Sequence, residues 1–258
     1  RLPHRVDLQA LARYTEDFSY DREGNLTALR HEWKGTRPAV WTRAHSHQAG
    51  SNRLTRSVAS GSPTVNYAYD ASGNLLAMPH LPQMRWDAEG RLASVDRAAG
   101  GRVWMSYDAQ GQRVRKVHRH GQRVEERIYL GHYEIYRRRR AGVPSVRVER
   151  STSHLMDGVQ RVTTLETLTR EQGNDVGIPA PRWRYQCSDH LGSGCIELDE
   201  TAKLISFEEF HAFGTTAVAA QGLGEVSARR YRYTGKERDE ESGLNYHGAR
   251  YLAPWLAR

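Results

Sequence analysis

An aromatic residue, an aspartate, two further residues and a glycine recur in register along this chain, and this recurrence limits its fold more than any other feature. The copies are Tyr20-Asp21-Arg22-Glu23-Gly24-Asn25-Leu26, Tyr69-Asp70-Ala71-Ser72-Gly73-Asn74-Leu75, Trp86-Asp87-Ala88-Glu89-Gly90-Arg91-Leu92 and Tyr107-Asp108-Ala109-Gln110-Gly111-Gln112-Arg113-Val114. Asp70, Asp87 and Asp108 stand about one hairpin apart. The gap from Asp21 to Asp70 leaves room for more than one, with the intervening copy degraded. An aspartate opening a tight turn accepts N–H bonds from the residues after it, and a glycine three positions on tolerates the positive φ of a turn ending in a bulge. Residues alternate before the turn and a strand resumes after it, so the unit is strand, turn, strand. A lone hairpin is marginal in water and leaves both edges unpaired, so copies must stack into a long antiparallel strip. The expected class is all-β, with the repeat aromatics forming a ladder along one face.

Composition agrees with a sheet rather than a large enzyme core. The 258 residues are 38% hydrophobic, with Tyr 13 and Trp 6 against Phe 4, a bias toward aromatics that suit half-buried surfaces. No window approaches the roughly 18 apolar residues of a membrane-spanning helix. A chain that opens on Arg1 reads as a piece cut from a longer protein. The net charge of +8 admits nucleic acid or an anionic surface, but no nucleic-acid-binding motif accompanies it. An arginine-rich solvated face is the expectation, and no nucleic-acid partner is assigned.

Other segments carry weaker signals. Residues 159 to 172 admit helix or strand, and the β-branched alternation Arg161-Val162-Thr163-Thr164-Leu165 favours strand. Thr216 to Arg230 reads as a short helix or ordered loop, and Glu171 to Pro181 as an exposed loop. Arg137 to Arg140 is expected to be a strand end or hairpin turn coated with solvated charge.

Candidate chemistry weakens on inspection. Asp21, Asp70, Asp87 and Asp108 all precede a glycine at one offset, which suits turn formation rather than catalysis. Cys187-Ser188-Asp189-His190 with Cys195 holds the residue types of a thiol or zinc site, but not the spacing of paired metal ligands. Two free thiols are expected, and neither a metal nor another cofactor. His45 with His47 and His118 with His120 alternate on strands among arginines, which opposes cation binding and favours surface positions.

The carboxy-terminal stretch RYRYTGKERDEESGLNYHGARYLAPWLAR, residues 230 to 258, resembles the Rhs repeat-associated core of polymorphic toxins, of the form YxYTGKERDxExGLxYxGARYYxPxxGRW. Upstream, Asp189-His190-Leu191-Gly192-Ser193, Leu198-Asp199-Glu200 and Phe210-His211-Ala212-Phe213-Gly214 are similar to the family's DxLGS, DxxG and YxPFG series, in order. Ala49-Gly50-Ser51-Asn52-Arg53-Leu54 and the Trp86 repeat resemble the C component of ABC-type insecticidal toxin complexes, the TccC-like branch. The recurring unit is the family's YD repeat. Leu252-Ala253 stands where Tyr-Asp or Tyr-Gln is more usual, and Ala257 where glycine is common.

The resemblance implies a curved strip of a hollow shell that encapsulates a cytotoxic carboxy-terminal domain. It also implies an aspartyl autoprotease that severs the toxin, with its aspartates beyond Arg258, so that this segment is not itself an enzyme. Arg250 matches the arginine the family places beside that protease site; the other reading pairs it with a shell carboxylate. Three regions are expected: a YD-repeat strip over 1–130, divergent strands and loop of the same shell over 131–185, and the amino-terminal part of the core over 186–258. Implied partners are the chain's own toxin domain as cargo and a B-component shell, and the implied location is secreted or delivered into a target cell from a bacterial producer. The alternative is an adhesive YD-repeat module that grips a glycan or other polyanion through its basic face.

Overall fold

A computed structural model describes residues 13–35, 39–221, 229–248 and 250–258. The described chain divides into a unit ending at Met84 and a unit beginning at Arg85. Nearly every regular element in either unit is an antiparallel strand, in agreement with the all-β expectation.

In the first unit, β1 (Tyr14–Tyr20), β2 (Leu26–Trp33), β3 (Ala39–His47), β4 (Leu54–Ala59) and β5 (Val65–Asn66) form one sheet in sequence order. Leu54, Met78, Leu81 and Met84 are its most buried apolar side chains. Few residues carry this core, which matches the low aliphatic content of the sequence.

The second sheet is a meander of 13 strands, and it starts with β6 (Gln83–Trp86), within which the division of the units falls. It continues through β7 (Leu92–Asp96), β8 (Arg102–Tyr107), β9 (Arg113–His120), β10 (Arg123–Leu130), β11 (Tyr133–Arg140), β12 (Val146–Asp157) and β13 (Gln160–Glu171). The end of β13 pairs with the two-residue β14 (Asn174–Asp175), and its middle with β15 (Pro181–Ser188). The sheet ends with β16 (Gly194–Leu198), β17 (Leu204–Phe210) and β18 (Thr216–Gln221), still open rather than closed into a barrel. After it, β19 (Glu237–Arg238), β20 (Asn245–Tyr246) and β21 (Tyr251–Leu252) make a small separate sheet.

Residues 160–171 are strand, as the β-branched alternation predicts, and residues 171–181 are exposed apart from half-buried Val176. At the start of the helix or ordered loop expected over 216–230, a strand forms instead. Thr216–Gln221 is the edge strand β18, because Thr216, Val218, Ala219, Ala220 and Gln221 pair with the ladder that β17 offers, with Ala217 left at a bulge. Residues 222–228 lie outside the described residues.

Burial along the second sheet changes character. Near its start the buried positions are apolar, with Leu92, Val95, Val103 and Met105. From β9 onward they include Arg113, Lys116, His118, Glu134, Thr152, His154, Arg184, Glu197 and Glu208. Cross-strand registers such as Lys116 opposite Arg127 and Glu134 opposite Thr152 align these side chains on one face. A face this polar excludes water only if charged partners cover it.

Candidate functional site

The repeat turns share one geometry. Asp21 Oδ1 accepts from the N–H groups of Glu23 at 3.1 Å and Asn25 at 2.8 Å. The same oxygen serves Asn74 at Asp70, Glu89 and Arg91 at Asp87, and Gln110 and Gln112 at Asp108, at 2.8 to 3.1 Å. In each turn the aspartate N–H donates to the carbonyl four residues on, and its own carbonyl accepts from the glycine. Gly24, Gly73, Gly90 and Gly111 all have φ between 73° and 87°. These carboxylates are spent on backbone geometry.

The turn recurs where the sequence shows it less plainly. Asp189 accepts from the Ser193 N–H and Asp199 from the Lys203 N–H, at 2.8 and 2.9 Å, with Gly192 and Ala202 in the positive-φ position. His211 and Gly214 keep the backbone bonds of the turn without a carboxylate. Asp189 is thereby occupied, and Cys187 and Cys195 are free thiols, the second pushed up in pKa by burial.

The repeat aromatics act along the chain. The hydroxyls of Tyr69 and Tyr107 each donate to a leucine carbonyl at 2.8 Å, Leu54 and Leu92 respectively. The residue before each leucine is an arginine that lies over the same ring, Arg53 at 5.8 Å and Arg91 at 5.2 Å from the centroid. Each Arg-Leu pair therefore clamps the aromatic of the following repeat. Arg113 continues the series over Tyr129 at 5.0 Å. A ring-on-ring ladder of repeat tyrosines is not what holds Tyr107, because its ring neighbour is Tyr246 of the small terminal sheet.

Residues 229–258 cover the polar face of the second sheet through an ionic seam. Arg113, with its side chain 1% exposed, donates to Asp239 Oδ2 at 2.7 Å and to Glu237 Oε2 at 2.6 Å, and its Cζ lies 4.3 Å from the Tyr246 centroid. Lys116 Nζ reaches Asp239 at 2.7 Å and Glu241 at 3.0 Å. Arg230 bridges Glu237 and Glu134, and Glu134 also holds Arg127, His154 and the Tyr231 hydroxyl. Further along, Glu208 takes Arg229, Arg232 and the Thr216 hydroxyl. Buried charge is costly alone, so these groups stay ionised only as a set.

The pKa directions follow from that arrangement. Burial opposes the charge on Glu237, but Arg113, Arg230 and Lys116 outweigh it and hold the carboxyl well below its ordinary range. Glu134 is held low in the same way, by Arg230, His154 and Arg127. Burial pushes Lys116 down, and Asp239, Glu241 and Glu237 more than restore it. Burial lowers His154 and pushes Tyr107 up to about 12.

Arg250 is exposed, and among the described residues no carboxylate pairs with it. Its carbonyl accepts from the His247 N–H at 2.8 Å, and Ala249 beside it lies outside the described residues. Only one member of each histidine pair departs from the surface position expected, since His120 is exposed and His47 half-buried. His45 and His118 are buried, and His118 sits between Arg97 Nη1 at 3.1 Å and Glu125 Oε2 at 3.5 Å, because β9 turns it onto the polar face. Arg137 pairs with Glu149 at 2.6 Å, while Arg138 and Arg140 are exposed at the end of β11. Sequence reasoning missed Arg113, Lys116, Glu134, Glu237 and Asp239. Two of them were visible inside the GKERD stretch, but their partners lie on distant strands.

A family model described as RHS Repeat matches residues 86–123. Toxin subunit YenC1 of Yersinia entomophaga is 29% identical over 98% of this chain, and the matched stretch is 26% of that protein. Toxin subunit YenC2 of the same organism is 28% identical over 100% of this chain and 27% of its own length. The chain thus spans about a quarter of the length of these curated relatives. The crystal structure of TcdB2-TccC3 without its hypervariable C-terminal region matches 96% of this chain and 12% of that chain, at 27% identity and a TM-score of 0.79. The repeat, the match along nearly the whole of this segment and the shared fold agree: the chain is similar to Rhs-repeat proteins and, among them, to toxin-complex C subunits.

Proposed function

We propose that this segment is shell wall and end closure of a toxin that encloses its own cytotoxic carboxy-terminal domain, with autoproteolysis by aspartates beyond Arg258 releasing the cargo. The observation that carries the reading is the ionic seam, in which Arg113 and Lys116 of β9 are each held by more than one carboxylate of the terminal segment. A segment anchored this way closes a polar face without an apolar interface that would compete for an unfolded cargo. The solved relative described without its hypervariable C-terminal region supports a variable domain following the shared fold. Arg250, exposed beside the turn of β20 and β21, is proposed as accessory to cleavage, where a fixed guanidinium would orient a carboxylate or scissile carbonyl. A B-component shell is the proposed assembly partner, and the protein is proposed to be secreted or delivered into a target cell.

The test is expression of the longer gene product. Two fragments are expected, and alanine at the downstream aspartates is expected to leave one. A single uncleaved chain in both would overturn the autoprotease.

A second reading rests on a separate observation. Arg123, Arg138, Arg139, Arg140 and Arg147 line one cavity of about 540 Å³ in which Glu171 is the only lining carboxylate. Such a rim suits a polyanionic glycan. Retention on heparin that falls steeply with salt would support adhesion, and no retention at low salt would remove it.

A further inference from the structure

A cavity of about 30 Å³ lies between β12, β13, β15 and the start of the terminal segment, and its wall holds donors that no described residue uses. Arg229, with its side chain 6% exposed, gives Nη2 to Glu208 Oε2 at 2.6 Å. Its Nε and Nη1 are buried with no hydrogen-bond partner among the described residues. Arg161 is the second cation of the wall. Its Nε donates to His154 Nδ1 at 3.1 Å and its Cζ lies 3.4 Å from the Tyr231 centroid, and no carboxylate pairs with it among the described residues. Burial holds its guanidinium below the ordinary arginine range.

The other charges of the wall are matched. Arg184 pairs with Glu197 at 2.6 Å, Arg230 with Glu134 and Glu237, and Glu166 faces Arg150 at 4.0 Å. An unused donor on a buried charged group carries its full desolvation penalty. Water could satisfy the N–H groups but would leave the charge of Arg161 uncompensated. By this measure a single water needs roughly 10 to 15 Å³, so the space is small and admits a monatomic anion.

We propose that this cavity binds one monovalent anion of about chloride's size, held by the Nε–H and Nη1–H of Arg229 and by the Arg161 guanidinium. The bound ion neutralises a seam that otherwise carries an unmatched cation.

Thermal unfolding in sodium chloride and in sodium gluconate at matched ionic strength tests this. Chloride is expected to raise the midpoint saturably, and gluconate, too large to enter, is not. Arg161→Gln breaks no ion pair, and it is expected to weaken the apparent chloride affinity about tenfold, the loss of one charge-assisted hydrogen bond. Bromide-soaked crystals of the unmodified protein are expected to show an anomalous peak beside Arg229, a readout independent of how any variant folds. Equal midpoints in the two salts, or no bromide peak in the cavity, would overturn the site.

Discussion

Ala202 and Ala257 hold the left-handed backbone that other turns of this protein give to glycine, with φ of 62° and 57°. A β-carbon is strained there, so Ala202→Gly and Ala257→Gly are each expected to stabilise the protein by up to about 1 kcal/mol, read from the urea midpoint. The opposite change is unequal at two glycines. At Gly111 a Cβ would meet only Arg91 Cδ at 4.0 Å, so Gly111→Ala is expected to cost about 1 kcal/mol of backbone strain. At Gly101 a Cβ would stand 2.5 Å from the Arg119 carbonyl oxygen, and Gly101→Ala is expected to cost clearly more in the same assay. The turn aspartates could be read from sequence because their work is local, within four residues. Ala202 hid the same turn because a positive φ leaves no mark on an alanine.

Among the elements, clamp and seam make different demands. Tyr107→Phe removes the bond to the Leu92 carbonyl and is expected to cost about 1 kcal/mol, with the strands otherwise intact. Glu237→Gln leaves Arg113 and Arg230 short of a carboxylate, and a loss of at least about 3 kcal/mol is expected from urea unfolding. Strand identity was legible where alternation was strong, as in β13. The edge strand β18 was not, since a run of small residues takes its conformation from the partner β17. The seam was illegible for a related reason. Glu237 and Arg113 meet through the fold, and nothing local marks either as buried.

At the scale of the molecule, the seam sets the pH range of the second unit. Glu134, Glu208 and Glu237 have native values below their ordinary 4.5, so their contribution is complete above that pH and is lost as the pH falls through the native values. Lys116 lies above its ordinary 10.5, so its contribution is complete below 10.5 and fails as the pH rises beyond it. Tyr107 adds an alkaline limit between 10 and about 12. Unfolding free energy across pH is expected to be flat from about 7 to 10, to fall first as His154 must take up charge below its ordinary 6.5, and then to fall further along an acid limb that Glu237→Gln makes shallower. The clamp carries a consequence of timing as well. Arg53 waits for Tyr69, Arg91 for Tyr107 and Arg113 for Tyr129, so every lock is completed by residues the ribosome supplies later. Such a chain zips from its amino end during synthesis, its newest hairpin always open, until Tyr246 and Tyr251 arrive and close over Arg113.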